Sequence, residues 1–177
     1  MNLRLASIIP ALATLAGGCA PSFEADVPDV EVTQRQLKMA GVPAAAQVGE
    51  VSVSTSFVLS SSSTAWAKRL NSRVFLHQVK ISPTGGLADL GFIRLAHVTA
   101  RDPARPEGAT ELLSYARTEA TPPSSDIEVS MPTPLEITTL WSADSTVIDL
   151  QLAGQLPEQD WAVDVTLSLS GKITGQL

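Results

Sequence analysis

The sequence predicts an all-β protein, an antiparallel β-sandwich of the Ig-like or Greek-key type. Three observations lead there. Beyond Gln47 apolar and polar side chains alternate with period two, which places them on opposite faces of strands. The alternating runs are short and are separated by Pro, Gly and Ser/Asp clusters at regular spacing, the pattern of a sandwich or barrel. Finally, 44% of the 177 residues are hydrophobic but only 5% are aromatic, so the core is built mainly from Val, Leu and Ile. With a single cysteine no internal disulfide forms, and burial alone must hold such a domain together.

In chain order, the first element is Met1-Asn2-Leu3-Arg4 followed by Leu5 to Leu15, a run without charge that Pro10 interrupts. Eleven uncharged residues are too few to span about 30 Å of hydrocarbon as a helix. A positive start, a short apolar run and then small residues form the pattern of a secretory signal peptide. Residues 20 to 31 carry Pro21, Glu24, Asp26, Pro28, Asp29 and Glu31 and read as a solvated acidic tether; they lack the regular spacing of a calcium loop. Val30 and Val32 alternate with Glu31 and Thr33, so the tether ends in a short strand that Gln34 to Met39 extend. Ala40 to Ala46, rich in small residues and Pro, is a loop. The expected organisation is a signal peptide over 1–18, a tether and first strand over 19–47 and the sandwich over 48–177.

Val51 to Leu59 places Val51, Val53, Phe57 and Leu59 on one face and mostly serine on the other. Val74 to Ile81 and Leu90 to Val98, separated by Pro83-Thr84-Gly85-Gly86, are apolar on both faces and suit central strands. Further strands are expected at Glu111 to Thr118, Asp126 to Met131, Leu135 to Trp141, Thr146 to Leu152 and Trp161 to Ile173. In the last, Trp161, Val163, Val165, Leu167 and Leu169 share one face. A short helix is predicted over Thr64 to Ser72.

The residues Leu15-Ala16-Gly17-Gly18-Cys19 set the only cysteine directly after three small residues. This resembles the lipobox of bacterial lipoproteins, although the third position before the cysteine, where that family prefers Leu, is Ala16. The resemblance covers about the first twenty residues. It implies cleavage before Cys19, lipid on Cys19 and a membrane as partner. Ala20 in place of Asp after the cysteine implies the outer membrane of a bacterial envelope more than the inner. Cleavage after Ala20 instead would leave an unanchored secreted protein.

Charge and composition narrow the function. The net charge of −6 gives no positive footprint for nucleic acid. Two histidines and one cysteine do not make a Cys/His zinc cluster, and no catalytic constellation, metal or cofactor is predicted. His77 and His97 read as strand residues; only pairing of their two strands would bring them together as half of a metal site. Asp149 and Asp164 fall on the presumed outer face and Glu158 and Asp160 in a turn, so paired-carboxylate chemistry is not expected.

Trp66, Lys68, Arg69 and Arg73 form the densest basic patch and are the candidate binding surface for an anionic glycan, a headgroup or an acidic envelope protein. The alternative is that Trp66 and Leu70 pin a short helix while the charges face water. The charged, proline-stiffened segment 101–108 is a second candidate loop. The expectation is a non-catalytic structural or binding module; the rival is a small envelope enzyme with an unrecognised polar site.

Overall fold

A computed structural model describes residues 22–60, 71–105, 107–118, 124–141 and 145–176. The strands are β1 (Ser22–Met39), β2 (Val51–Ser60), β3 (Asn71–Thr84), β4 (Ile93–Arg101), β5 (Thr110–Ala116), β6 (Ile127–Glu136), β7 (Ser145–Gly154) and β8 (Trp161–Gln176). A one-turn helix, α1 (Thr138–Trp141), lies between β6 and β7. Two four-stranded sheets form, with orders β1-β8-β3-β6 and β2-β7-β4-β5, and every pairing is antiparallel. This interleaved order is the Greek-key alternative in its jelly-roll form. We call them sheet A and sheet B.

The two inner faces make one aliphatic core. Leu76, Val79, Ile81, Val163, Val165, Leu167 and Leu169 of sheet A are buried, as are Val98, Ile148, Leu150 and Leu152 of sheet B. Removing such apolar surface from water contributes roughly 25 cal/mol per Å². Trp161 closes one end, its ring edge-on to Phe92 at 5.3 Å between centroids. The buried row of β8 and the inner face of β2 fall where alternation places them.

Several segments differ from expectation. The acidic stretch read as a tether is the first half of β1, paired with β8 from Ser22↔Gln176 through Val27↔Gly171. Its Glu24 and Asp26 face Lys172 across the strand pair, with Nζ 3.0 Å from Glu24. β1 is an edge strand, and Pro28 sits within a bulge between Val27 and Val30, a position where the missing N–H breaks no ladder bond.

Leu135 to Trp141 is not a separate strand. Leu135 and Glu136 end β6 opposite Leu76 and Phe75, and the chain then turns into α1, which buries Leu140 and Trp141. β6 contains Pro132 and Pro134 and is likewise an edge strand. Of the helix expected over 64–72, only 71 and 72 are described, and both open β3.

β-Bulges explain the two runs that are apolar on both faces. In β3, Leu76 pairs with Leu169 and Gln78 with Ser168, so His77 is the extra residue. The buried parity shifts there from Val74 and Leu76 to Val79 and Ile81. In β4, Ile93 pairs with Gly154 and Leu95 with Ala153; Arg94 is the extra residue and the buried set moves from Ile93 to Ala96, Val98 and Ala100. Both strands are central in their sheets, as expected, but each buries only one face on either side of its bulge.

Candidate functional site

The outer face of sheet B is a grid of hydrogen-bonding side chains. Strand register aligns Ser54, Gln151, His97 and Ser114 in one row across all four strands. The adjacent row is Ser56, Asp149, Thr99 and Glu111. Ser54, Ser56, His97, Thr99, Asp149 and Gln151 line a shallow depression of about 340 Å³. Small Ser and Thr side chains leave that room, with the longer Gln151 and His97 also lining it.

Asp149 is the most engaged group of this face. Its Oδ1 accepts from Ser56 Oγ at 2.5 Å and its Oδ2 from Arg101 Nε at 2.8 Å. The hydrogen bond from Arg101, with that from Ser56, holds the Asp149 carboxyl below its usual range against the opposing effect of partial burial. The same carboxylate raises Arg101. Asp149 is therefore a fixed anion, the wrong state for a general acid. His97 Nε2 meets Glu111 Oε2 at 2.7 Å. The partner of the Ser56 hydroxyl is thus a carboxylate locked to an arginine, not an imidazole base.

A larger cleft of about 780 Å³ opens at the end of the sandwich where the loop before β2 meets the β7–β8 turn. Gln47 stitches its walls, donating from Nε2 to the carbonyls of Val42 (2.8 Å) and Leu156 (2.7 Å). Gly154 at its base permits close contact, since a Cβ there would lie 2.1 Å from the Phe92 carbonyl. Arg94, Glu50 and Glu158 also line it, a mixed-charge lining that selects no ion by sign.

Among the residues singled out from sequence, Cys19, Trp66, Lys68 and Arg69 lie outside the described residues. Arg73 is on β3, exposed, and its guanidinium forks onto Glu136, with Nε 3.2 Å from Oε1 and Nη2 on Oε2. The guanidinium also lies 5.2 Å from the centre of the Phe75 ring. The hydrogen bond from Arg73, and a second from Thr138, lower Glu136, while the first raises Arg73. Both the fork and the face of Arg73 are engaged within the domain.

His77 and His97 do not meet, because β3 and β4 belong to different sheets; His77 Nε2 is 2.5 Å from Ser170 Oγ. Among the described residues, no three His, Cys, Asp or Glu converge as a metal site, and no helix is long and apolar enough to cross a membrane. Asp164 and Asp160 accept backbone N–H groups, from Gln36 at 2.7 Å and Gly41 at 2.9 Å. In the 101–108 segment Asp102 makes an Asx turn, accepting from the N–H of Ala104 at 2.8 Å.

The Ser56–Asp149–Arg101 link escaped sequence reading, since its members lie 93 and 48 residues apart from Asp149. The available signal was that Ser56 and Asp149 fall on outward positions of predicted strands; Arg101 belongs to the segment expected as a loop, whereas it ends β4.

No protein-family model matches this sequence, and no curated protein matches it. Similar solved structures include the decameric BFDV capsid protein, 8% identical, covering 86% of this chain and 99% of that one with a TM-score of 0.38. Turnip yellow mosaic virus is 14% identical, covering 98% of this chain and 91% of that one, with a TM-score of 0.37. Cocksfoot mottle virus is 8% identical, covering 100% and 97%, with a TM-score of 0.40. Likeness at this level assigns no function.

Proposed function

We propose that this chain is a lipoprotein of a bacterial envelope, anchored through lipid on Cys19, whose β-sandwich is a non-catalytic binding module. The observation that carries the non-catalytic part is the engagement of the polar groups. Asp149, Asp160, Asp164 and Glu136 each accept a hydrogen bond from within the domain, and both histidines have side-chain partners. Acid–base or nucleophilic chemistry needs a group poised to give or take a proton. The outer face of sheet B offers instead a hydroxyl-rich surface with the amide of Gln151 and with the Asp149 charge paired to Arg101, suited to an envelope glycan or the polar surface of an envelope protein.

The anchor rests on Leu15 to Cys19. Because β1 begins at Ser22, only Ala20 and Pro21 separate it from Cys19, a reach of about 10 Å at most for extended chain. The domain then sits close against the lipid, with its first strand part of the sheet. Each buried CH₂ contributes about 0.8 kcal/mol, and more than one acyl chain is needed for stable anchorage. Ala20 after the cysteine favours the outer membrane.

The test is fractionation of cells producing the parent chain or Cys19→Ser. The parent is expected in the membrane fraction and the variant in the soluble envelope fraction. Membrane association and mass unchanged by the substitution would refute the anchor. For binding, the probe is a soluble disaccharide fragment of peptidoglycan titrated calorimetrically; an equal response from the parent and from Ser56→Ala would refute the outer face of sheet B as its site.

A further inference from the structure

The four sheet edges are not alike. Edge strands expose unpaired N–H and C=O groups that template pairing with another chain, and proteins ordinarily blunt them with charge, proline, bulges or short length. β1 carries two bulges and several charged residues. β6 contains Pro132 and Pro134, with a register break opposite His77. β5 is seven residues long, contains Glu111 and is bulged against β4. β2 has none of these devices. Its ten residues, Val-Ser-Val-Ser-Thr-Ser-Phe-Val-Leu-Ser, include no charge, proline or glycine, and all ten pair with β7 in unbroken register from Val51↔Gly154 to Ser60↔Ser145. Among the described residues β2 has no strand on its other side.

We infer that β2 is a homodimer interface, in which the β2 edges of two copies pair antiparallel about a two-fold axis and join the two B sheets into one of eight strands. The occupant is read from the strand itself. With Thr55 on the axis, antiparallel register sets Val53 opposite Phe57 of the second copy and Val51 opposite its Leu59, all on the inner face. Ser54 then faces Ser56, and Thr55 faces its own copy. Aromatic with β-branched and hydroxyl with hydroxyl are among the cross-strand pairs that stabilise a sheet. A two-fold axis normal to the sheet keeps inner face with inner face and outer face with outer face, so that the same patch of both copies meets itself, as in an isologous contact.

Two further observations fit a second copy. Val51, Val53 and Thr55 are only half-buried, whereas Phe57 and Leu59 on the same face are buried, so part of the inner edge remains to be covered. Val58 on the outer face is 58% exposed and would lie opposite Ser52 of the partner copy. The chain carries a net charge of −6, so two copies repel at long range; β2 lets them meet along a line with no charge, and the nearby Asp149 is balanced by Arg101.

The test is sedimentation equilibrium of the full chain carrying Cys19→Ser, together with amide exchange measured across the micromolar range. The parent is expected to dimerise, with exchange of residues 51–60 slowing as concentration rises. Ser54→Lys, at an exposed outward position, sets two ammonium groups at the pairing line and is expected to weaken the dimer by about tenfold or more. Ser52→Lys is the second variant should the first fail to fold. Ser130→Lys, on the β6 edge, is expected to leave the dimer unchanged. A parent that is monomeric at every concentration overturns the inference, as does dimerisation that folded Ser54→Lys leaves intact. Capture of a strand from another protein by a monomeric chain overturns it equally.

Discussion

Asp164 of β8 reaches across to its neighbour β1 and accepts the backbone N–H of Gln36 at 2.7 Å. Gln36, at φ +52°, is the one non-glycine with positive φ among the described residues, and it lies in the bulge between Gln34 and Leu37. A left-handed conformation costs an L-residue roughly 1–2 kcal/mol. The carboxylate supplies an acceptor to an N–H that the bulge takes out of the ladder.

This pairing gives two opposite expectations. Gln36→Gly should raise stability by about 0.5–1 kcal/mol, because glycine takes positive φ without strain. Asp164→Ala should lower it by about 1 kcal/mol through loss of the acceptor. Urea denaturation of the two variants checks both signs.

Gly154 joins three strands, pairing with Val51 and Ile93, and a Cβ there would lie 2.1 Å from the carbonyl oxygen of Phe92 and 3.1 Å from the nitrogen of Arg94. Both contacts are backbone, so neither neighbour yields by rotating a side chain. Gly154→Ala should cost more than about 2 kcal/mol. Gly49→Ala, at φ +82° but with open space around it, should cost only the conformational strain of about 1 kcal/mol. Thermal denaturation of the two side by side separates crowding from backbone strain.

Acid should weaken the domain through two ion pairs. The hydrogen bonds from Arg101 and Arg73 hold Asp149 and Glu136 below their ordinary values. A carboxylate with a depressed folded pKa contributes stability that is complete above its unfolded pKa and is lost as pH falls through the folded one. Stability should therefore be level above about pH 5 and fall from there through pH 4 and below. The double variant Asp149→Asn and Glu136→Gln should flatten that slope, as urea midpoints across the range would record. Both pairs are substantially exposed, so salt should reduce the effect.

The bulge at His77 makes a sharper prediction about register. Deleting His77 leaves Leu76 opposite Leu169 and Gln78 opposite Ser168, with every core residue on its present face. The deletion should give a cooperatively folding domain, less stable by about 2 kcal/mol from the lost Ser170 contact and altered pairing with β6. Deleting Val165, within the unbulged centre of β8, turns half that strand inside out and should abolish cooperative unfolding. Near-ultraviolet circular dichroism on melting distinguishes the two.

The antiparallel sandwich and the inner rows of β2 and β8 were legible in the sequence because alternation there is unbroken over many residues. Where legibility failed, a local feature competed with period two. Bulges at His77 and Arg94 shift the parity, so each run looks apolar on both faces although only one face is buried on either side. Carboxylates and Pro28 disguised β1 as a tether; on an edge strand the carboxylates face solvent and Lys172, and the proline fits a bulge. Pro132 and Pro134 likewise split β6 in the reading. The outer face of sheet B depends on register between distant strands, which no local pattern encodes.

The central claim is that Cys19 carries the lipid that holds this sandwich to its membrane. Mass spectrometry of the amino-terminal peptide of the mature protein, recovered from the envelope of a Gram-negative host, tests it most directly. The account predicts a chain that begins at Cys19 and carries a diacylglyceryl thioether. An unmodified amino terminus at Pro21, or an uncleaved chain beginning at Met1 with a free thiol at Cys19, would contradict it.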